Sequence, residues 1–220
     1  MASKVALIVW GGWDGHQPKQ VAEIFERVLK EDGFTVEVSD TLDSFAGVES
    51  IANLSLIVPV WTMGKLTDAQ AKPVFNVVRE QGVGVAGCHG GMCDSFRENT
   101  EWQFMTGGQW VSHPGNDGTN YRVKMLRTGN PITAGIEDFD VSSEQYYMHV
   151  DPAVKVLAST EMPVADGPHV PNGKFDMPVV WTKYYGKGKV FYNSLGHQAN
   201  IVESEPCLTL MRRGFAWAAK

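Results

Sequence analysis

Gly84–Val85–Ala86–Gly87–Cys88–His89–Gly90–Gly91 decides the fold of this chain. The apolar residues Val83, Val85 and Ala86 lead into it, two adjacent glycines lead out, and a helix-like segment follows from Asp94. Strand, tight turn and helix in succession form the pattern of a nucleophile elbow, which holds one side chain exposed at the carboxyl end of a central strand. In the frame Gly87–Cys88–His89–Gly90–Gly91 that side chain belongs to His89. Ser or Cys usually stands there. Imidazole is a ligand and a proton-transfer group, and only rarely the nucleophile that forms a covalent intermediate. The motif therefore describes an enzyme-like site whose usual covalent chemistry has been replaced.

Upstream of the motif, residues 5–10 are a continuous apolar run, which predicts a buried strand broken by Gly11–Gly12. Pro18 opens a helical pattern in which Val21, Ile24, Phe25, Val28 and Leu29 share a face, and Gly33 ends it. Residues 35–38 and 54–59 read as strands. Thr67 with Gln70 predicts a capping box for a helix through Val78, stopped by Gly82, and residues 83–88 form the next strand. The order β–α–β–(short α)–β–α–β implies an α/β fold with a mainly parallel sheet and helices on both faces. Ligands in such sheets bind outside the carboxyl ends of the strands. His16 after the first strand, Trp61 and Thr62 after the third, and His89 after the fourth should face one crevice.

Downstream, residues 102–105 predict a short helix, and Gly107–Gly108 and His113–Pro114–Gly115 predict loops. Residues 121–125, 154–158, 179–183 and 190–192 read as strands, with Gly186–Lys187–Gly188 as a hairpin turn and residues 208–219 as a terminal amphipathic helix. No repeat, linker or low-complexity tract interrupts the order, so one domain over residues 1–220 is expected. With 43% hydrophobic and 20% charged residues the composition is that of a globular protein. The formal net charge of −6 and the lack of a Lys/Arg cluster argue against nucleic acid or an anionic membrane as partner. The apolar runs are too short to span a bilayer, and Met1–Ala2–Ser3–Lys4 passes into the first strand without the features of a signal peptide. Three cysteines, an odd number, give no disulfide framework. A cytoplasmic protein with reduced thiols is expected.

Several phrases, in this order, resemble the ThuA-like (trehalose utilisation) family of the class I glutamine amidotransferase-like superfamily. They are Gly87–Cys88–His89–Gly90–Gly91 with Asp94–Ser95–Phe96; Gly107–Gly108–Gln109–Trp110 with His113–Pro114; Glu144–Gln145–Tyr146; and Pro178–Val179–Val180–Trp181–Thr182, running through Tyr185–Gly186–Lys187–Gly188–Lys189–Val190 to Gly196–His197. The resemblance implies a flavodoxin-like doubly wound fold that lacks the amidotransferase cysteine and carries His at the elbow. It also implies a link to disaccharide utilisation, in particular to oxidised (3-keto) sugars. Cys88 stands where the family often has an aliphatic residue; preceding the elbow centre, it should point into the sheet as a small buried residue.

His89, His113 and His197 lie in phrases that match the family, and the resemblance puts His197 at the position of the amidotransferase histidine. Imidazoles at one crevice with Glu144 nearby fit two chemistries: a divalent metal (Zn, Mn or Fe) held by His89, His113, His197 and Glu144, or metal-free acid–base work by His89, Glu144 and His197. His16, Trp13, Trp61, Trp110, Arg97 and Tyr146 are the substrate-binding candidates, since aromatic faces stack on sugar rings while polar groups bind the hydroxyls. The plainer alternatives are a solvated loop for His16, a turn residue before Pro114 for His113, and a hydrogen-bonded strand end for His197. Asp94 reads as an ordinary acidic residue at a helix N-terminus, His149 as a further candidate packed near Tyr146 or Tyr147, and His169 as exposed loop. Trp10 and Trp181, in apolar strand runs, are expected in the core or at its edge. The leading reading is an enzyme on a keto-sugar, of isomerase, lyase or hydrolase type; the alternatives are a non-catalytic sugar-binding or regulatory protein and, last, hydrolysis or amide transfer through Cys88. No nucleotide cofactor is expected. The partner would be a small sugar, and a homo-oligomer is compatible with the sequence.

Overall fold

Eight residues, Val5–Gly12 (β1), form an interior strand because their apolar run can be buried on both faces of a sheet. The structure, a computed structural model, describes residues 4–51 and 53–220. After β1, Pro18–Glu31 (α1) begins with proline in its first turn, buries Val21, Ile24, Phe25, Val28 and Leu29, and gives way to Gly33 at φ +83°. Thr35–Ser39 (β2) and Leu54–Thr62 (β3) flank β1 in parallel. Asp68–Asn76 (α2) has the capping box: Gln70 N–H donates to Thr67 Oγ1 at 3.3 Å, and Thr67 N–H to Gln70 Oε1 at 3.0 Å. A π-helical turn, Val77–Gln81, carries the chain to Gly82, which stops it in the left-handed region as the sequence predicts. Gly84–Cys88 (β4) follows, parallel to β3.

The helix after the elbow departs from the expectation. Gly90–Cys93 (α3) starts directly at the glycine pair, and Asp94 closes it rather than opening a helix. The reason is space: a Cβ on Gly91 would sit 3.1 Å from Val60 Cα, so this turn packs closely on β3. Thr100–Thr106 (α4) is capped by Asn99, whose Oδ1 accepts from Trp102 N–H at 2.9 Å. Gly108–Ser112 (β5) corrects a second expectation, since Gly108 opens a strand instead of completing a loop.

The remaining strands are Thr119–Met125 (β6), Phe139–Ser143 (β7), Tyr147–Val150 (β8), Lys155–Met162 (β9), Phe175–Tyr185 (β10) and Gly188–Asn193 (β11). Two helices, Ala199–Glu203 (α5) and Cys207–Ala218 (α6), end the chain. Among the described residues the main sheet has nine strands in the order β2-β1-β3-β4-β11-β10-β9-β6-β7, and β5 pairs with β8 in a separate antiparallel ribbon. From β2 to β11 every pairing is parallel; from β11 to β7 every pairing is antiparallel. The chain thus has an α/β, doubly wound fold with a parallel core, extended on one side by antiparallel strands. Its winding reverses at β1, with β2 on one side and β3 on the other, and ligands of such sheets bind at that switch point.

One core cluster joins the sheet to α1 and α6, with Phe25 and Phe215 edge-on at 5.0 Å. The other lies on the opposite face and gathers Phe45, Phe96 and Trp102. The close approach of α6 to β4 rests on Gly84, where a Cβ would fall 2.2 Å from Ala218 O. Gly84→Ala should therefore destabilise the protein by about 1–3 kcal/mol, read as a lower midpoint in urea; an unchanged midpoint would contradict this packing. Among the described residues no helix is long and apolar enough to cross a membrane.

Candidate functional site

His89 follows β4 in a backbone conformation that residues with side chains rarely adopt, φ +48° and ψ −142°. The surroundings hold it there. Its N–H donates to Asn193 O at 2.8 Å, and its carbonyl accepts from Tyr192 Oη–H at 3.1 Å. The residue is 1% exposed, and its ring stacks on Tyr146 with centroids 3.8 Å apart. Nδ1 lies 2.7 Å from Ser194 O. A carbonyl only accepts, so Nδ1 carries the proton and Nε2 of the neutral ring presents its lone pair. That nitrogen faces Glu144 Oε2 at 3.1 Å.

Glu144 follows β7 on a segment fixed from both sides. Its carbonyl accepts from Tyr121 Oη–H at 3.0 Å, and Gln145 Nε2 donates to Thr160 Oγ1 at 2.8 Å. Besides His89, Glu144 Oε2 meets His197 Nδ1 at 3.2 Å and His113 Nδ1 at 3.6 Å. His197 follows Gly196, whose φ of +116° favours glycine and whose missing Cβ would lie 3.0 Å from Cys88 Sγ. His16 enters from the turn after β1, with Nδ1 2.8 Å from Thr62 Oγ1 at the end of β3. Its ring meets those of His89 and His197 edge-on, at 4.8 and 5.3 Å. Gly90 makes room for it, because a Cβ there would be 2.4 Å from His16 Cε1. One donor atom from each of His16, His89, Glu144 and His197 lies within 4.8 Å of all the others, and all four residues are buried.

Burial, with the neighbouring imidazoles adding to it, pushes the His16 pKa down to about 3. Burial also lowers that of His89, although Glu144 opposes it. Both rings are thus held as neutral lone-pair donors. Burial alone would lower His197 and raise Glu144, but their mutual attraction, with His89 also acting on Glu144, wins in each case: His197 is raised and Glu144 is held well below the usual carboxylate range. The His197 Nδ1 contact with the carboxylate is close but lacks hydrogen-bond geometry, and that nitrogen is buried without a hydrogen-bond partner.

A rim surrounds this cluster. Trp13 is exposed and lies edge-on to His16 at 4.7 Å. Trp110 leans on His113 at 5.4 Å and on Tyr146 at 6.3 Å, and its Nε1 is buried without a partner. Arg97 lies over the Trp110 ring at 4.7 Å, held by two hydrogen bonds to Asp94, of 2.6 and 2.8 Å. A groove of about 620 Å³ runs between α2 and the segment before α4, lined by Phe75 and Phe96 among others, and none of the four clustered donors lines it.

A family model described as ThuA, trehalose utilisation, matches residues 5–218. The chain belongs to the ThuA family. Among solved structures, a protein described as ThuA-like from Bacteroides uniformis is 18% identical with a TM-score of 0.76, covering 98% of this chain and 91% of its own. Another described as ThuA-like, from Parabacteroides merdae, is 17% identical with a TM-score of 0.74, covering 99% and 90%. One described as a glutamine amidotransferase, from Thermotoga maritima, is 12% identical with a TM-score of 0.52, covering 88% and 75%. At these identities the likeness is one of fold, and it joins this ThuA chain to the amidotransferase-like architecture. No protein of curated function matches the sequence.

Within this ThuA chain the predicted residues take different places. His16, His89, Glu144 and His197 converge, so His16, expected as a substrate-binding residue, stands inside the cluster. His113, expected among the metal donors, lies at its half-buried edge. Trp13, Trp110, Arg97 and Tyr146 surround the cluster. Trp61 differs: its ring packs against Gly11 and Gly64, where added Cβ atoms would meet it at 2.6 and 2.5 Å. It makes no ring contact with the histidines among the described residues. His149, expected to pack near Tyr146 or Tyr147, is exposed on β8 opposite Gln109. His169 is buried, not exposed, because it packs edge-on against Tyr147. Asp94 is buried as the anchor of Arg97, a role its position in the sequence does not suggest. Trp181 is fully buried, with Nε1 donating to Thr106 O at 3.0 Å, and Trp10 packs partly buried on the core.

Proposed function

We propose that this ThuA-family protein is an enzyme of sugar metabolism that moves a proton at the carbon beside the carbonyl of a 3-keto sugar or glycoside. One observation carries the reading: four buried donors, His16, His89, Glu144 and His197, meet within 4.8 Å at the carboxyl ends of the parallel strands. The family description supports the sugar.

The donor set fits a divalent ion. Bonds of about 2.0–2.2 Å from one ion to nitrogen and oxygen leave neighbouring donors about 3–3.5 Å apart. The contacts of Glu144 Oε2 with His89 and His197, at 3.1 and 3.2 Å, are of that size. His89 Nε2 and the carboxylate both offer lone pairs toward each other, a conflict that a shared proton or cation relieves. The second nitrogens of His89 and His16 are anchored by Ser194 O and Thr62 Oγ1, as is usual for imidazoles that ligate. These four residues would hold zinc, manganese or iron. A bound divalent ion polarises a carbonyl oxygen and so acidifies the adjacent C–H.

The chain supplies the rest. His113 faces Glu144 from the half-buried edge with Nδ1 free of hydrogen bonds, so its imidazole can take and return the proton. Trp110 offers a ring face and an unpaired N–H to a sugar, and Asp94 keeps Arg97 fixed beside it. Tyr146 holds the His89 ring by stacking. Cysteine chemistry is disfavoured by burial, which pushes the Cys88 thiol well above its ordinary pKa. Strands from both halves of the sequence share one sheet, which supports a single domain, and three buried unpaired cysteines support a reducing, cytoplasmic setting.

Elemental analysis of protein purified without chelators tests the centre. One divalent ion per chain is expected, and His89→Ala and Glu144→Gln should each lose most of it. Wild-type protein that neither retains nor takes up zinc, manganese or iron would leave only metal-free acid–base chemistry for these residues.

A further inference from the structure

The chemistry above does not use His169. It is 7% exposed, and its Nε2 is buried without a hydrogen-bond partner. The ring is firmly seated, edge-on to Tyr147 at 5.9 Å and over Gly167, where a Cβ would come 2.9 Å from Nδ1. Buried polar atoms in folded proteins nearly always have partners, so an unpaired one points to a partner not yet in place. Beside His169 lies a cavity of about 260 Å³. Val111, Pro114 and Tyr147 give it apolar and aromatic walls; Ser112, Asn172 and His169 add polar groups. A ring face to stack on, with a few convergent hydrogen-bonding groups, suits a sugar. The volume, below the usual small-ligand site of about 300 Å³ or more, suits one ring rather than two.

The cavity also sits close to the histidine cluster. Pro114 follows His113, whose Nδ1 is 3.6 Å from Glu144 Oε2. Tyr147 follows Tyr146, which stacks on His89, and Tyr147 pairs with Ser112 where β5 ends. A molecule crossing that end of the ribbon would reach from the cluster into the cavity. We infer that the cavity binds the non-reacting ring of a glycoside whose other ring lies at His89, Glu144 and His197. The inference rests on the sugar-directed function proposed above.

Binding without turnover tests it. Trehalose and glucose are titrated separately into the full chain, by calorimetry and on the imidazole resonances of His169. Trehalose should bind at least about tenfold more tightly than glucose and shift those resonances. His169→Phe and Asn172→Ala should each reduce trehalose affinity to that of glucose and leave glucose binding unchanged. Asn172 is exposed, so its variant keeps the test valid if the His169 variant is unstable. Equal affinities in the wild type, or unchanged trehalose binding in both variants, would overturn the subsite. The two readings fail separately: trehalose bound as described by a protein inert toward keto-sugars refutes the chemistry alone, and keto-sugar turnover with no preference for trehalose refutes the subsite alone.

Discussion

His89→Ala should lower turnover of a 3-keto-glycoside by at least about 10²-fold, because it removes one of the four donors that would hold the ion, and polarisation of a carbonyl by an ion is worth several kcal/mol. His89 is the hub of the cluster: it touches Glu144, stacks on Tyr146 and is tied through Nδ1 to the strand end at Ser194. No other side chain can take its place, because the strained backbone at φ +48° aims this residue alone from the end of β4. Cys88→Ala, one residue earlier, should keep activity within about threefold, since its thiol packs against the helical layer and is held protonated by burial. Its cost should appear as a lowered melting temperature, from about 1 kcal/mol of lost packing. The two variants therefore separate an imidazole mechanism from a thiol mechanism by steady-state kinetics on folded protein. Full activity in His89→Ala, or its loss in Cys88→Ala, would reverse the assignment.

How much of this is legible in the sequence depends on how local each signal is. Pro18 and Gly33 bracket α1, and Thr67 with Gln70 caps α2, so both helices can be read from neighbouring residues. The parallel strands are legible as uninterrupted apolar runs. The ribbon of β5 and β8 is not. Gly107–Gly108 and His113–Pro114–Gly115 carry turn chemistry, and only pairing across the ribbon, Gly108 with Val150 and Gln109 with His149, turns the stretch between them into a strand. The helix after the elbow starts earlier than the sequence suggests for a similar reason: glycine has a poor helical propensity, and packing on Val60 overrides it.

The site shows the same division. His89 has a local signal, two glycines after a strand. Glu144, 55 residues away, has none beyond the family phrase, since its burial and its low pKa come from the histidines that surround it. His16 reads as a loop residue because the contact with Thr62 that buries it spans 46 positions. Asp94 and His169 have the sequence context of surface residues, and each is buried by a partner set remote in sequence or fixed by the turn: Gln109 and Arg97 for one, Tyr147 for the other. Strand ends place the donors; tertiary packing decides which of them meet.

The most direct measurement is hydrogen–deuterium exchange at the carbons flanking the carbonyl of methyl 3-keto-glucoside, followed by NMR in D₂O with the metal-loaded protein. Those C–H bonds are the ones a polarised carbonyl acidifies, and exchange reports proton transfer whether the later outcome is isomerisation, elimination or hydrolysis. Deuterium should enter beside the carbonyl at least about 10²-fold faster than in buffer, and His89→Ala should return the rate to that of buffer. Wild-type exchange no faster than buffer, or unchanged exchange in His89→Ala, would contradict the assignment of this histidine–glutamate cluster as a proton-transfer centre for keto-sugars.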